Sequence, residues 1–154
     1  METLFSHINK GDCRSLIKLI ESGVSFETVD KMGRTPLINA TIKGNINIVK
    51  YLIDKGADLN AEDKMGLTSL HYASQNYFHQ IAKLFLEKGA SVDPKDKNGN
   101  TPLSDAVFTS EGREEMIHLL LSYGADKNLQ NNFGISPLNL AKTIANYNIS
   151  KFLE

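Results

Sequence analysis

The amino-acid sequence predicts an all-α solenoid of helix-turn-helix units joined by hairpin-like finger loops. Two observations carry that prediction: glycines return at a fixed period, and the residues between them space their apolar side chains as helices do. Gly33, Gly66, Gly99 and Gly134 head the segments GRTPLINA, GLTSLHYA, GNTPLSDA and GISPLNLA, at intervals of 33, 33 and 35 residues. A second series, DKGADLN at 54–60, EKGASVD at 87–93 and SYGADKN at 122–128, follows the same spacing, with ESGVSFE at 21–27 as a looser first member. Self-similarity at such a period is the mark of stacked supersecondary units.

Each unit reads in the same order. Thr35, Thr68, Thr101 and Ser136 stand where a helix N-cap needs a hydroxyl, and Pro36, Pro102 and Pro137 follow at the first helical position, Ser69 being the exception. In the second unit Leu37, Ala40 and Thr41 share one face of the first helix. Ile48, Val49, Leu52 and Ile53 form the apolar stripe of the second. Gly56, Gly89 and Gly124 then close the second helix, where a left-handed residue is wanted. The stretch from there to the next unit's glycine is rich in Asp, Asn and Gly and too short for another helix, so it forms the finger.

At these motifs the chain resembles the ankyrin-repeat family. TPLINA, TSLHYA, TPLSDA and SPLNLA match the family's first-helix motif, and KGADLN, KGASVD and YGADKN match its repeat ending. The resemblance implies one domain over 1–154, with an atypical first repeat at 1–30, full repeats at 31–63, 64–96 and 97–131, and a closing repeat at 132–154 that ends within its second helix. Stacking is needed because one helix pair cannot bury its own apolar face. The charges of Lys18, Glu21, Lys142 and Lys151 suit solvated ends.

Composition is that of an ordinary globular protein, with 41% hydrophobic residues and a formal net charge of −1 from 17 basic and 18 acidic side chains. That balance lacks the basic footprint of nucleic-acid binding. No apolar run approaches the length of a membrane span, and the lone Cys13 suits a reducing compartment. A cytoplasmic monomer is the expectation, with no nucleic acid, membrane, metal or cofactor among its partners.

Catalytic chemistry is not expected either. His7, His71, His79 and His118 show no metal-ligand spacing, and the glycines have turn roles rather than those of a phosphate loop. His71 occupies the histidine of the family's TPLH motif, where the resemblance implies a hydrogen bond from helix to finger. Cys13 lies near a helix start without a partner base and reads as an inert thiol. Asp30, Asp63 and Asp96 recur at one finger position and read as turn residues.

The resemblance therefore implies a protein-binding module that uses its fingers and inner helices. Carried over position by position, the contact residues before and after each finger glycine are Lys31, Met32 and Arg34, then Lys64, Met65 and Leu67, then Lys97, Asn98 and Asn100, then Phe133 and Ile135. At the end of the first helices come Ile42 and Lys43, Gln75 and Asn76, and Phe108 and Thr109, with Tyr72 added from the third repeat. Met32, Met65, Leu67, Phe108, Phe133 and Ile135 are apolar at positions the fold should leave open, beside a basic row of Lys31, Lys64 and Lys97. Packing between fingers is the alternative role for these side chains, and for Phe133 the two stand level.

Two departures from the repeat stand out. Tyr77 replaces the glycine that Gly44 supplies between the helices of the preceding repeat, which demands a rearranged or strained turn. The fourth repeat is two residues longer, giving an exposed loop at Ser110–Glu115 with three acids and one arginine; partner contact and simple drift are equally compatible with it. Frequent Asn and Ile with no Trp point to a source such as a bacterium or a large DNA virus. Small bacterial ankyrin proteins include antidotes that neutralise a toxin of the same cell, and this chain resembles them. A host-directed effector and a scaffold subunit are the alternatives.

Overall fold

The computed structural model describes residues 3–144 and 148–154. Their α-helices are α1 (Leu4–Lys10), α2 (Cys13–Glu21), α3 (Pro36–Ile42), α4 (Ile46–Asp54), α5 (Ser69–Gln75), α6 (His79–Glu87), α7 (Pro102–Phe108), α8 (Glu115–Ser122) and α9 (Pro137–Thr143). No strand occurs among the described residues. Most of the helices start where a side chain can take an orphan backbone N–H, α6 and α8 being exceptions. Thr35 accepts from the Ile38 amide at 3.2 Å, Thr101 from Ser104 at 3.3 Å and Ser136 from Asn139 at 3.2 Å.

Helices α1, α3, α5, α7 and α9 pack on one another in sequence and form the inner row; α4, α6 and α8 form the outer row behind them. Inner helices are seven residues long and most outer ones nine. The inner row approaches closely because its contact residues are small: Ala40, Ala73, Ala106 and Ala141 repeat at the same helix position and are all buried. Behind them Leu37, Leu70 and Leu103 and the outer-helix residues Ile48, Leu52, Phe85, Met116 and Leu120 form one continuous core. Ile53, expected on the same stripe, is half-buried.

His71 joins two repeats. The Thr68 amide donates to Nδ1 at 3.1 Å, so that nitrogen carries no proton, and Nε2 donates to the Asn100 carbonyl of the next finger at 3.2 Å. Burial holds this imidazole below its ordinary pKa, in the neutral form that the two bonds require. His71→Ala leaves a buried amide and a carbonyl unpaired, and the expected loss is about 2–3 kcal/mol in urea denaturation.

The two departures in the sequence form one contact. Tyr77 accepts the strained turn, with φ of 55°, and its hydroxyl donates to the Arg113 carbonyl at 2.8 Å. The Arg113 guanidinium lies 4.0 Å from the centre of the Tyr77 ring. The inserted loop is thus held against the preceding repeat. It is not open throughout, since Ser110 is buried and Glu115 already belongs to α8. In the closing repeat the described residues beyond Ile144 contain a 3-10 turn, Ser150–Phe152, and residues 145–147, where the expected second helix would begin, lie outside the described chain. Lys127 Nζ donates to the Leu153 and Glu154 carbonyls and so ties down this end.

Candidate protein-binding surface

The fingers are built by one repeated device. Asp30 Oδ1 accepts from the Met32 and Arg34 amides at 2.8 and 3.0 Å, and Asp63 and Asp96 do the same for their own fingers. Asn131 takes the role in the fourth finger. These are the turn carboxylates the spacing implied. Neighbouring fingers are then stitched together: the Lys64 amide donates to the Met32 carbonyl, Lys97 to Met65 and Asn132 to Asn98, each at 2.9 Å.

That device explains a methionine in a polar turn. Both backbone groups of Met32 and of Met65 are occupied, one by the finger aspartate and one by the next finger. The fold uses only the backbone there, and the side chains stand 48% and 47% exposed. Phe108 and Phe133, each 73% exposed, and Ile135, 41% exposed, are open as well, so the two aromatic rings are not local packing. Lys31, Lys64, Lys97, Asn98, Lys43 and Asn76 are also exposed.

Other candidates are engaged by the protein itself. Leu67 and Ile42 are half-buried, contrary to the expectation that Leu67 stands open, because residues facing the inner row are partly covered by neighbouring repeats. Arg34 pairs with Asp30 at 2.9 Å. The Tyr72 hydroxyl donates to Asp63 Oδ2 at 2.6 Å, and burial together with this bond pushes its pKa well above the usual phenol value, so it stays protonated. Thr109 donates to the Asp105 carbonyl and Asn100 accepts from Asn131 Nδ2.

Between the third and fourth fingers and the inner helices α5, α7 and α9 lies a pocket of about 520 Å³. It collects the candidates Gln75, Asn100, Phe108, Thr109 and Ile135, and adds Asp96, Asp105 and Leu140, which reading the contact ladder missed. Gln75 Nε2 donates to Asp105 Oδ2 at 3.1 Å. Burial pushes the Asp105 carboxyl up to about 7; the Gln75 bond pulls it down and the nearby charge of Asp96 adds to the rise. The signal lay in another ladder, the helix position Asn39, Tyr72, Asp105, where a carboxylate follows two hydrogen-bond donors.

Among the described residues no group of three or more His, Cys, Asp and Glu side chains is placed to hold a metal ion, and no helix is long and apolar enough to cross a membrane. Cys13 is half-buried. No curated protein matches the sequence. A family model for ankyrin repeats, three copies long, matches residues 4–96 and 59–131. With the finger ladder, the inner and outer helix rows and this match over most of its length, the chain belongs to the ankyrin-repeat family.

Proposed function

We propose that this chain is a non-enzymatic binding module that holds one protein partner on its finger tips and inner helices. Ankyrin repeats serve generally as protein-protein interaction modules. The observation that supports the placement is that Met32, Met65, Phe133 and Ile135 on the fingers and Phe108 at the end of inner helix α7 are large apolar side chains left exposed, while Val24, Val29 and Tyr123 are exposed outside this set. Exposed apolar groups of this kind mark interaction surfaces, and each one fully covered contributes about 1.5–3 kcal/mol.

Met65→Asp combined with Phe108→Asp is expected to weaken capture of the native partner by about a hundredfold or more, with helical content and melting unchanged. Undiminished capture by the folded double variant overturns the placement. Leu67, being half-buried, is unsuitable for this test.

The finer reading is an antidote: a cytoplasmic monomer that occludes the active site or docking surface of a toxin from the same cell. Likeness to small bacterial ankyrin antidotes supports it. Co-expression with the products of neighbouring reading frames tests it, and rescue of growth from one of them is the expected result. Joining two partners without rescue identifies a scaffold instead, and capture of a host protein an effector.

A further inference from the structure

We propose that the pocket between the third and fourth fingers receives a basic side chain, arginine in preference to lysine, from the protein partner, with an adjoining apolar residue against Phe108, Ile135 and Leu140. This rests on the protein-binding reading and names the chemistry that one part of the surface selects.

All three finger aspartates spend Oδ1 on their own finger amides. Their second oxygens differ. Asp30 Oδ2 accepts from Arg34 Nε at 2.9 Å and Asn39 Nδ2 at 3.1 Å. Asp63 Oδ2 accepts from the Tyr72 hydroxyl at 2.6 Å. One repeat further on, Arg34 is matched by Asn100, and Asn39 and Tyr72 by Asp105. Among the described residues nothing donates to Asp96 Oδ2, and the position that supplied a donor twice now holds a second carboxylate. Two repeats satisfy this site internally; the third leaves it to be satisfied from outside, and it alone opens into the pocket of about 520 Å³.

Charge and shape agree on the occupant. Two carboxylates line the pocket and no Lys, Arg or His does. A planar guanidinium can divide its five donors between two carboxylates and the Asn100 side chain, and it stacks on an aromatic face such as that of the exposed Phe108 better than an ammonium does. The space exceeds one side chain, and the apolar wall of Phe108, Ile135 and Leu140 gives the neighbouring residue its place. The occupant also has a proton to displace. Asp105 is held near neutrality by burial and by Asp96 on the finger, while α5 faces it with neutral Gln75 and α9 with Leu140.

The test is a titration of the isotopically labelled protein at neutral pH with acetyl-Leu-Arg-Leu-amide and with its citrulline counterpart, which keeps the shape and loses the charge. The arginine peptide is expected to shift the amides of Gln75, Asp105 and Phe108. Its binding should exceed that of the citrulline peptide by about tenfold or more, and fall by a similar factor in Asp105→Asn and in Asp96→Asn. Calorimetry in two buffers of different ionisation enthalpy should register proton release for the wild type and none for Asp105→Asn. Equal binding of the citrulline peptide, undiminished binding by both variants, or no shift at millimolar peptide overturns the proposal. The broader reading is judged separately. If Met65→Asp with Phe108→Asp releases the native partner and Asp105→Asn does not, the surface stands and the basic pocket falls; if neither releases it, both fall.

Discussion

Asp105→Asn is expected to stabilise the protein above neutral pH far more than at about pH 3. The carboxyl rises from 3.8 to about 7 on folding, chiefly through burial. A carboxylate whose pKa is raised in the native state opposes folding wherever the unfolded chain is ionised. The penalty is absent below the unfolded value, grows as pH rises through the interval between the two, and is complete above the folded value. The full shift corresponds to roughly 4 kcal/mol at 1.36 kcal/mol per unit. Residual solvent around this half-buried group reduces the expected gain to about 1–3 kcal/mol, or roughly 3–8 °C in melting temperature.

Asparagine also restores the arrangement of the second repeat. There Asn39 donates to Asp30 Oδ2, and an asparagine at 105 stands at the equivalent place beside Asp96 Oδ2. The ionisation part of the stabilisation should appear as a difference between melting curves at about pH 8 and about pH 3, with the variant further ahead at the higher value. An equal gain at both would assign the effect to packing rather than to ionisation. The same substitution is expected to weaken binding of a basic segment. Stability and recognition then move in opposite directions, as they do when a site is kept at some cost to the fold.

Most of the architecture was legible because it is written in local chemistry. A hydroxyl before a proline starts an inner helix, an aspartate four residues ahead of the finger's last amide closes the finger, and each of these signals sits within one repeat. The period then places the copies side by side. What escaped was set between repeats. The pocket draws Gln75, Asp96, Asp105 and Leu140 from four elements, and its signature is a change of residue type down a helix position that the finger-centred comparison did not follow. Tyr77 and the inserted loop were each visible as departures, yet their pairing spans 36 residues and depends on how far one repeat reaches toward the next. Leu67 looked open because it flanks a turn, and the neighbouring repeat half-covers it.

The finger glycines hold the other large expected effect, and they separate two reasons for glycine that the sequence cannot distinguish. Gly99 and Gly134 have nearly the same backbone, with φ of 78° and 73°. A methyl group on Gly134 would meet nothing within 4 Å. On Gly99 it would lie 2.8 Å from the backbone nitrogen of Asn132 and 3.1 Å from Cα of Asn131. That nitrogen is the donor that stitches the fourth finger to the Asn98 carbonyl, and the Asn132 side chain adds a bond to the Lys97 carbonyl. Gly134→Ala therefore carries only the cost of a left-handed alanine, about 1 kcal/mol. Gly99→Ala adds displacement of an entire finger with loss of its stitching bonds, for an expected total of about 2–4 kcal/mol. Urea denaturation of the two variants measures the difference, and equal losses would mean that turn geometry alone selects these glycines. A larger loss at Gly99 would show that the glycine is there for its neighbour: close approach of successive fingers, which aligns the exposed side chains along the surface, is possible only where the preceding finger presents no Cβ.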